Sequence, residues 1–153
     1  MNYFKINKNS YIVFMKLKVF TDWWSRGNPG ESGVGVYITD EKGFEEKRYK
    51  YLGIKTNNEA EYMAVFLGIK RCIELWAIEV ELYADSNLVI KQLSGEWKIK
   101  KDELKILYSD IKKLISKYNI KICYTWVPRE KNKEADRLSN VAIDKKFNKN
   151  LIF

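Results

Sequence analysis

At 153 residues the chain is sized for one domain, and 46% hydrophobic and 14% aromatic residues supply a proper core, which excludes a fibrous or largely disordered chain. Its 28 Lys and Arg against 20 Asp and Glu give a net charge of +8 with no histidine; such a surplus is the footprint of a polyanion binder, or simply of a Lys-, Asn- and Ile-rich composition. The two cysteines, Cys72 and Cys123, lack zinc-type spacing and read as two buried thiols in a reducing cell. No segment is long enough to span a bilayer, so a cytoplasmic protein with no membrane partner is expected.

Residues 1–14 read as an N-terminal extension, either flexible or lengthening the first strand; 15–147 as the domain; 148–153 as a short tail. A strand is predicted over 11–24, broken by the Gly-Asn-Pro-Gly at 27–30. Gly33 to Thr39 is a second strand, and after a turn at Asp40 to Gly43 a third returns from Phe44 to Leu52. Such short connections imply an antiparallel meander. The period then changes. Thr56 and Glu59 form a capping box that opens a helix with Ala60, Met63, Ala64 and Leu67 on one face. Val80, Leu82 and Ala84 alternate with polar neighbours in a fourth strand that ends at Asp85. A short helix over 87–94 stops at Gly95. Leu104, Leu107, Ile111, Leu114, Ile115 and Tyr118 form a helical stripe. Ile120 to Val127 is a fifth strand, and Asn132 is placed to cap a last helix reaching about Lys146. The order βββαβααβα makes an α/β fold: a mixed five-stranded sheet, three antiparallel strands plus two parallel, with helices on both faces.

Four carboxylates, Asp22, Glu61, Asp85 and Asp136, lie in polar signatures that a core would not need. These are FTDWWSRGNPG (20–30), TNNEAEY (56–62), YADSNLVIKQ (83–92) and VPREKNKEADRLS (127–139). Singly, each acid has a structural reading: Asp85 as a helix cap, Glu61 and Asp136 as solvated helix residues. Together they fit one site. The crevice of an open α/β sheet lies beyond its strand ends, where Asp22 and Asp85 fall. Glu61 and Asp136 sit in the first turns of helices, whose N-termini favour negative charge. Four clustered acids repel one another unless divalent cations neutralise them, and a hard-metal site in a basic protein points to phosphate chemistry.

In order and spacing the four signatures resemble ribonuclease H type 1, over roughly Met15 to Lys146. The specific matches are S-R-G-N-P-G after the first Asp, T-N-N-x-A-E-Y around the Glu and A-D-S-x-L-V-I at the second Asp. The ending V-P-R-E-x-N-x-x-A-D-R-L is similar to the archaeal and archaeal-like branch. The resemblance implies a ribonuclease H-like fold and an endonuclease that cuts the RNA strand of RNA–DNA hybrids, leaving 5′-phosphate products. It also implies that Asp22, Glu61, Asp85 and Asp136 are both catalytic and metal-binding. They would hold two Mg²⁺ or Mn²⁺ ions roughly 3.5–4 Å apart, Asp22 or Asp85 bridging them and Asp136 holding one. A monomer is expected, with RNA–DNA hybrid as partner and double-stranded RNA left open as a second substrate.

For substrate contact the resemblance points to Asn28, Asn57 and Asn58 beside the 2′-hydroxyls of the hybrid's minor groove, since amides both donate and accept. Asn132 joins that set. A turn at Asn28 and helix capping at Asn57 and Asn58 are the structural readings. Arg26 and the cluster Lys98, Lys100, Lys101 suit phosphates, and Trp97 suits a sugar of the DNA strand, unless it is core.

Two departures stand out. The family commonly has Gly after the first Asp, where this chain has Trp23 and Trp24; strand alternation predicts Trp24 on the side of Asp22 and Trp23 opposite. The histidine that bacterial members carry in a loop before the last acid is missing, and no side chain here has an ordinary pKa near 7. Arg129 and Glu130 occupy the corresponding short loop. Two other readings stand beside the first: another nuclease of the same fold, resolvase-like, and a hybrid-binding module whose catalysis Trp23 and Trp24 impair. The former is not expected to keep the paired Asn or the GNPG loop.

Overall fold

A computed structural model of the chain describes residues 3–7, 10–13 and 15–146. Two short strands, β1 (Tyr3–Asn7) and β2 (Ser10–Val13), pair antiparallel as a separate two-stranded sheet. The five-stranded sheet comprises β3 (Met15–Ser25), β4 (Gly30–Thr39), β5 (Glu45–Lys55), β6 (Ala77–Ala84) and β7 (Lys121–Trp126), in the order β5-β4-β3-β6-β7. β3, β4 and β5 form the antiparallel meander, whereas β6 pairs parallel with both β3 and β7. The expected class and strand directions therefore hold. The single strand expected over 11–24 is instead divided between β2 and β3, which belong to different sheets. The tail at 148–153 lies outside the described residues.

Helix α1 (Asn57–Glu74) opens on the capping box read from the sequence, with Thr56 Oγ1 accepting from Glu59 N and Glu59 Oε2 accepting from Thr56 N at 2.8 Å. It packs on β3, β4 and β6. Leu17, Val19, Val36, Val65, Ile69, Val80 and Leu82 fill that layer with no exposed area. α2 (Asn87–Leu93) and α3 (Asp102–Lys117) lie on the same side, α3 pressing Leu104 and Ile111 into this core. α4 (Lys133–Asp144) covers the other face, against β3, β4 and β5.

Glycine lets α4 come this close. A Cβ on Gly35 would stand 2.1 Å from the Ala135 carbonyl oxygen, and one on Gly33 would stand 2.6 Å from that of Ser139. Bare backbone at these positions is what lets α4 seat on the sheet. Of the two thiols expected to be buried, Cys72 is, but Cys123 is exposed. It lies on the edge strand β7, beyond the strands β3, β4 and β5 that α4 covers. No helix among the described residues is long and apolar enough to cross a membrane.

Candidate active site

The parallel pairing of β3 with β6 sets Asp22, near the end of β3, beside the end of β6, and Asp85 is the residue that follows β6. Asp85 does not cap the next helix: Ser86 does, its hydroxyl accepting from Val89 N at 3.3 Å. The Asp85 carboxylate lines the cleft instead. Asp136 comes from the first turns of α4 and Glu61 from the first turns of α1. An open cleft of about 280 Å³ is lined by Asp22, Trp23, Trp24, Asp85, Arg129 and Asp136. Glu61 is buried just beyond it, where the Trp23 indole nitrogen donates to Glu61 Oε2 at 2.6 Å.

The acids act on one another. Burial, and after it the negative charges of Asp85, Asp136 and Glu61, pushes Asp22 up to about 8, against the pull of a 2.8 Å bond from Trp23 N. Burial, with Asp85 adding to it, raises Glu61 to about 8; the Trp23 indole and the Ser86 hydroxyl pull the other way. Asp85 is raised by burial and by Asp136 but held back by Asn132 and Arg129. Asp22, Glu61 and Asp85 thus resist ionising unless positive charge arrives.

Raised carboxyls of this kind are ones that a bound cation would stabilise in their charged form, and the donor chemistry is compatible with a hard cation. The cleft offers hard carboxylate oxygens, and Glu61 Oε1 is buried without a hydrogen-bond partner even though the Ser86 hydroxyl is near enough to lower the proton affinity. As they stand, no three acid, histidine or cysteine side chains among the described residues converge closely enough to grip an ion. The gathering of four acids fits cation binding in its donor chemistry.

The expected substrate residues divide into groups. Asn28, in a loop with a cis bond to Pro29, accepts from Asn57 N at 3.1 Å, which unites the GNPG loop with the start of α1. With Thr56 as the cap, Asn57 and Asn58 are the first two residues of α1 and do not cap it. Arg26 is exposed and pairs with Asp144 at 2.8 Å. Trp97 is 46% exposed, so the core reading fails, and Lys98, Lys100 and Lys101 are exposed beside it. Their loop begins one short helix, about 10 Å of rise, from Asp85. Gln92 braces it, donating to Lys98 O at 3.3 Å and accepting from Tyr62 at 2.7 Å.

Asn132 departs from expectation. It is 1% exposed and presents no surface to a substrate. It stands at the N-cap position of α4 but makes no capping bond; its amide donates to Thr21 O at 3.0 Å and leans on Asp85. Buried between β3 and α4, it fixes the spacing of Asp22, Asp85 and Asp136. Trp24 faces the cleft as predicted, but Trp23, on the opposite side of the strand, also reaches the site because Glu61 lies on that side.

One cleft residue and one neighbour of Asp85 were not legible as such. Arg129 lines the cleft, 3.7 Å from Asp136, and Trp126 donates to the Asp85 backbone oxygen at 3.2 Å. Glu130 turns instead to a separate hollow beside Phe20 and Tyr37.

A mixed sheet in the order β5-β4-β3-β6-β7, with clustered acids at the ends of adjacent parallel strands, defines the ribonuclease H-like class. Residues 21–142 match the family model described as reverse transcriptase-like. LC11-RNase H1, solved in complex with RNA/DNA hybrid, superposes with a TM-score of 0.80 at 36% identity over 86% of this chain and 99% of that one. RNase H1 from the halophilic archaeon Halobacterium salinarum NRC-1 superposes equally, TM-score 0.80, at 32% identity over 85% and 98%. The chain belongs to this family, the reverse transcriptase-like ribonucleases H. Bifunctional protein Rv2228c of Mycobacterium tuberculosis (strain ATCC 25618 / H37Rv) is 40% identical over 132 residues, 85% of this chain but only 36% of that protein, so the chain spans about a third of that relative's length.

Proposed function

We propose that this chain is an endoribonuclease that hydrolyses the RNA strand of RNA–DNA hybrids with two divalent cations held by Asp22, Glu61, Asp85 and Asp136. The observation that carries the reading is the acidic cleft of Asp22, Asp85 and Asp136 with Glu61 buried just beyond it: burial and neighbouring acids hold Asp22 and Glu61 at about 8, and Glu61 Oε1 has no hydrogen-bond partner. Bound Mg²⁺ or Mn²⁺ would activate a water and stabilise the leaving oxygen of an in-line displacement at phosphorus, leaving a 5′-phosphate. The nuclease names and the hybrid-bound structure of similar proteins support the substrate class.

The chain's own residues then divide the work. Asp22 and Asp85, on neighbouring strand ends, are fixed by the β3–β6 ladder and by Asn132. Asn28 and Asn57, already joined, present amides to 2′-hydroxyls, the group that tells RNA from DNA. Arg129 puts a positive charge at the mouth of the cleft for the phosphate. Lys98, Lys100 and Lys101, with Trp97, track the DNA strand one helix away. With no histidine in the chain, product release relies on none.

Two tryptophans at the cleft favour a second reading, a module that binds hybrid without cutting it. End-labelled RNA–DNA, RNA–RNA and DNA–DNA duplexes of one sequence, incubated with Mg²⁺, Mn²⁺ or EDTA, separate the two. Metal-dependent cutting of the RNA strand of the hybrid is expected. Tight hybrid binding with no cutting under any metal would replace the proposal with the binding module.

A further inference from the structure

Trp23 is the residue that the acidic cleft does not account for. The related pattern commonly carries glycine directly after the first Asp, and a glycine has no side chain to donate. Here the indole is wedged with Leu52 and Phe66 against Val34, Ala64 and Leu67, a packed layer that fixes its orientation. Its nitrogen donates at 2.6 Å to Oε2 of Glu61, 38 residues away in sequence, a bond at the short end for a carboxylate acceptor. The other oxygen, Oε1, is buried and has no hydrogen-bond partner. Glu61 as a whole is 5% exposed. With Oε2 tied to the indole and only the Ser86 hydroxyl near the carboxylate besides, Oε1 is the oxygen left without a hydrogen bond.

We propose that Trp23 is a positioning residue for cation binding: its indole N–H occupies Oε2 of Glu61 and leaves Oε1, which has no hydrogen-bond partner, as the oxygen available to an ion. The inference rests on the metal-dependent reading of the four acids given above and assigns a supporting partner to one of them. Groups that hold a ligand side chain from behind are typically worth about 10- to 100-fold in metal affinity. The backbone N–H of the same residue donates to Asp22 Oδ1 at 2.8 Å, so Trp23 braces two of the acids at once, one from its main chain and one from its ring. Substitution of the ring removes only the second of these bonds.

The test needs no nucleic acid. Binding of Mn²⁺ to the full 153-residue chain is followed by the EPR signal of the free ion for the unsubstituted chain, W23F, E61Q and the double variant. Phe keeps the ring's packing and lacks the donor. W23F is expected to weaken Mn²⁺ binding about tenfold or more, and to have no further effect once Glu61 is Gln, because the tryptophan acts through that carboxylate. Unchanged affinity in W23F, or an equal loss in the E61Q background, overturns the role of Trp23 alone. Absence of Mn²⁺ uptake by the unsubstituted chain overturns the metal reading itself. Should W23F fail to fold, the indole ¹⁵N–¹H resonance that shifts on Glu61→Gln serves in its place. It is expected to move as Mg²⁺ is added to the unsubstituted chain, and a stationary resonance overturns the proposal.

Discussion

Gly35→Ala tests whether the seat of α4 on the sheet sets the geometry of the acids. Gly35 stands opposite Asp22 in the β3–β4 ladder, and a methyl there would meet Ala135 O at 2.1 Å, Ser139 N at 2.6 Å and Leu138 Cβ at 2.7 Å. Ordinary contact begins at 3.4 Å, and two of these three atoms are backbone, which cannot swing aside as a flexible side chain would. The helix must therefore retreat by about an ångström or more. Overpacking of this kind costs about 1–3 kcal/mol, or a fall in Tm of about 2–4 °C per kcal/mol for a chain of this size. The retreat carries Asp136 and Asn132 with it, and a displacement of about 1 Å at a reacting centre can cost about 100-fold in rate. The assay is hybrid hydrolysis at a temperature well below the variant's own Tm, beside a thermal melt. A variant that melts a few degrees lower yet cuts about 100-fold more slowly while folded is expected. Wild-type hydrolysis in a destabilised variant would refute the link between helix seating and catalysis, and an unchanged Tm would refute the packing argument itself.

Because the fold raises Asp22 and Glu61 from ordinary carboxyl values to about 8, the folded state binds protons there that the unfolded state does not between about pH 4 and 8. Metal-free stability should therefore fall as pH rises through that window, by up to about 1.4 kcal/mol per pH unit for each acid. Mg²⁺ should restore Tm at pH 8.5 and barely change it at pH 5, whereas a metal-free Tm that is flat or rising over this range would contradict the burial of the acids. Asn132→Ala removes a buried donor from Thr21 O and leaves that carbonyl unsatisfied, a cost of about 1–3 kcal/mol. Chemical denaturation measures it, and a loss of hybrid affinity without a loss of stability would instead restore Asn132 to the substrate surface.

What could be read from the sequence was local. The Thr56–Glu59 box, the alternation in β6 and the stripe of α3 each lie within a few residues, so periodicity and capping chemistry located them. The four acids stood out because their flanking residues make poor core. What escaped depends on which distant side chains meet. Trp23 was assigned away from Asp22 by strand alternation, correctly, but nothing local says that Glu61 arrives on that same side. Asn132 looks polar and available in a loop, yet α4 closes over it once Gly33 and Gly35 admit the helix. Cys123 alternates like a core residue, and only the strand order reveals that β7 is an edge. Arg129 enters the cleft through a short 3-10 turn at Arg129–Lys131, whose path composition does not dictate.

The central claim is that Asp22, Glu61, Asp85 and Asp136 act together in one metal-dependent hydrolysis. The most direct measurement is single-turnover cleavage of an RNA–DNA hybrid in saturating Mg²⁺ by D22N, E61Q, D85N and D136N, each confirmed folded by its melt. The account predicts that D22N, E61Q and D85N lose essentially all cleavage while still binding the hybrid, and that D136N, whose acid is proposed to hold one ion and is less buried than Asp22 and Glu61, loses less. Cleavage at the unsubstituted rate by folded D22N or D85N would contradict it and move the chemistry to another part of the surface.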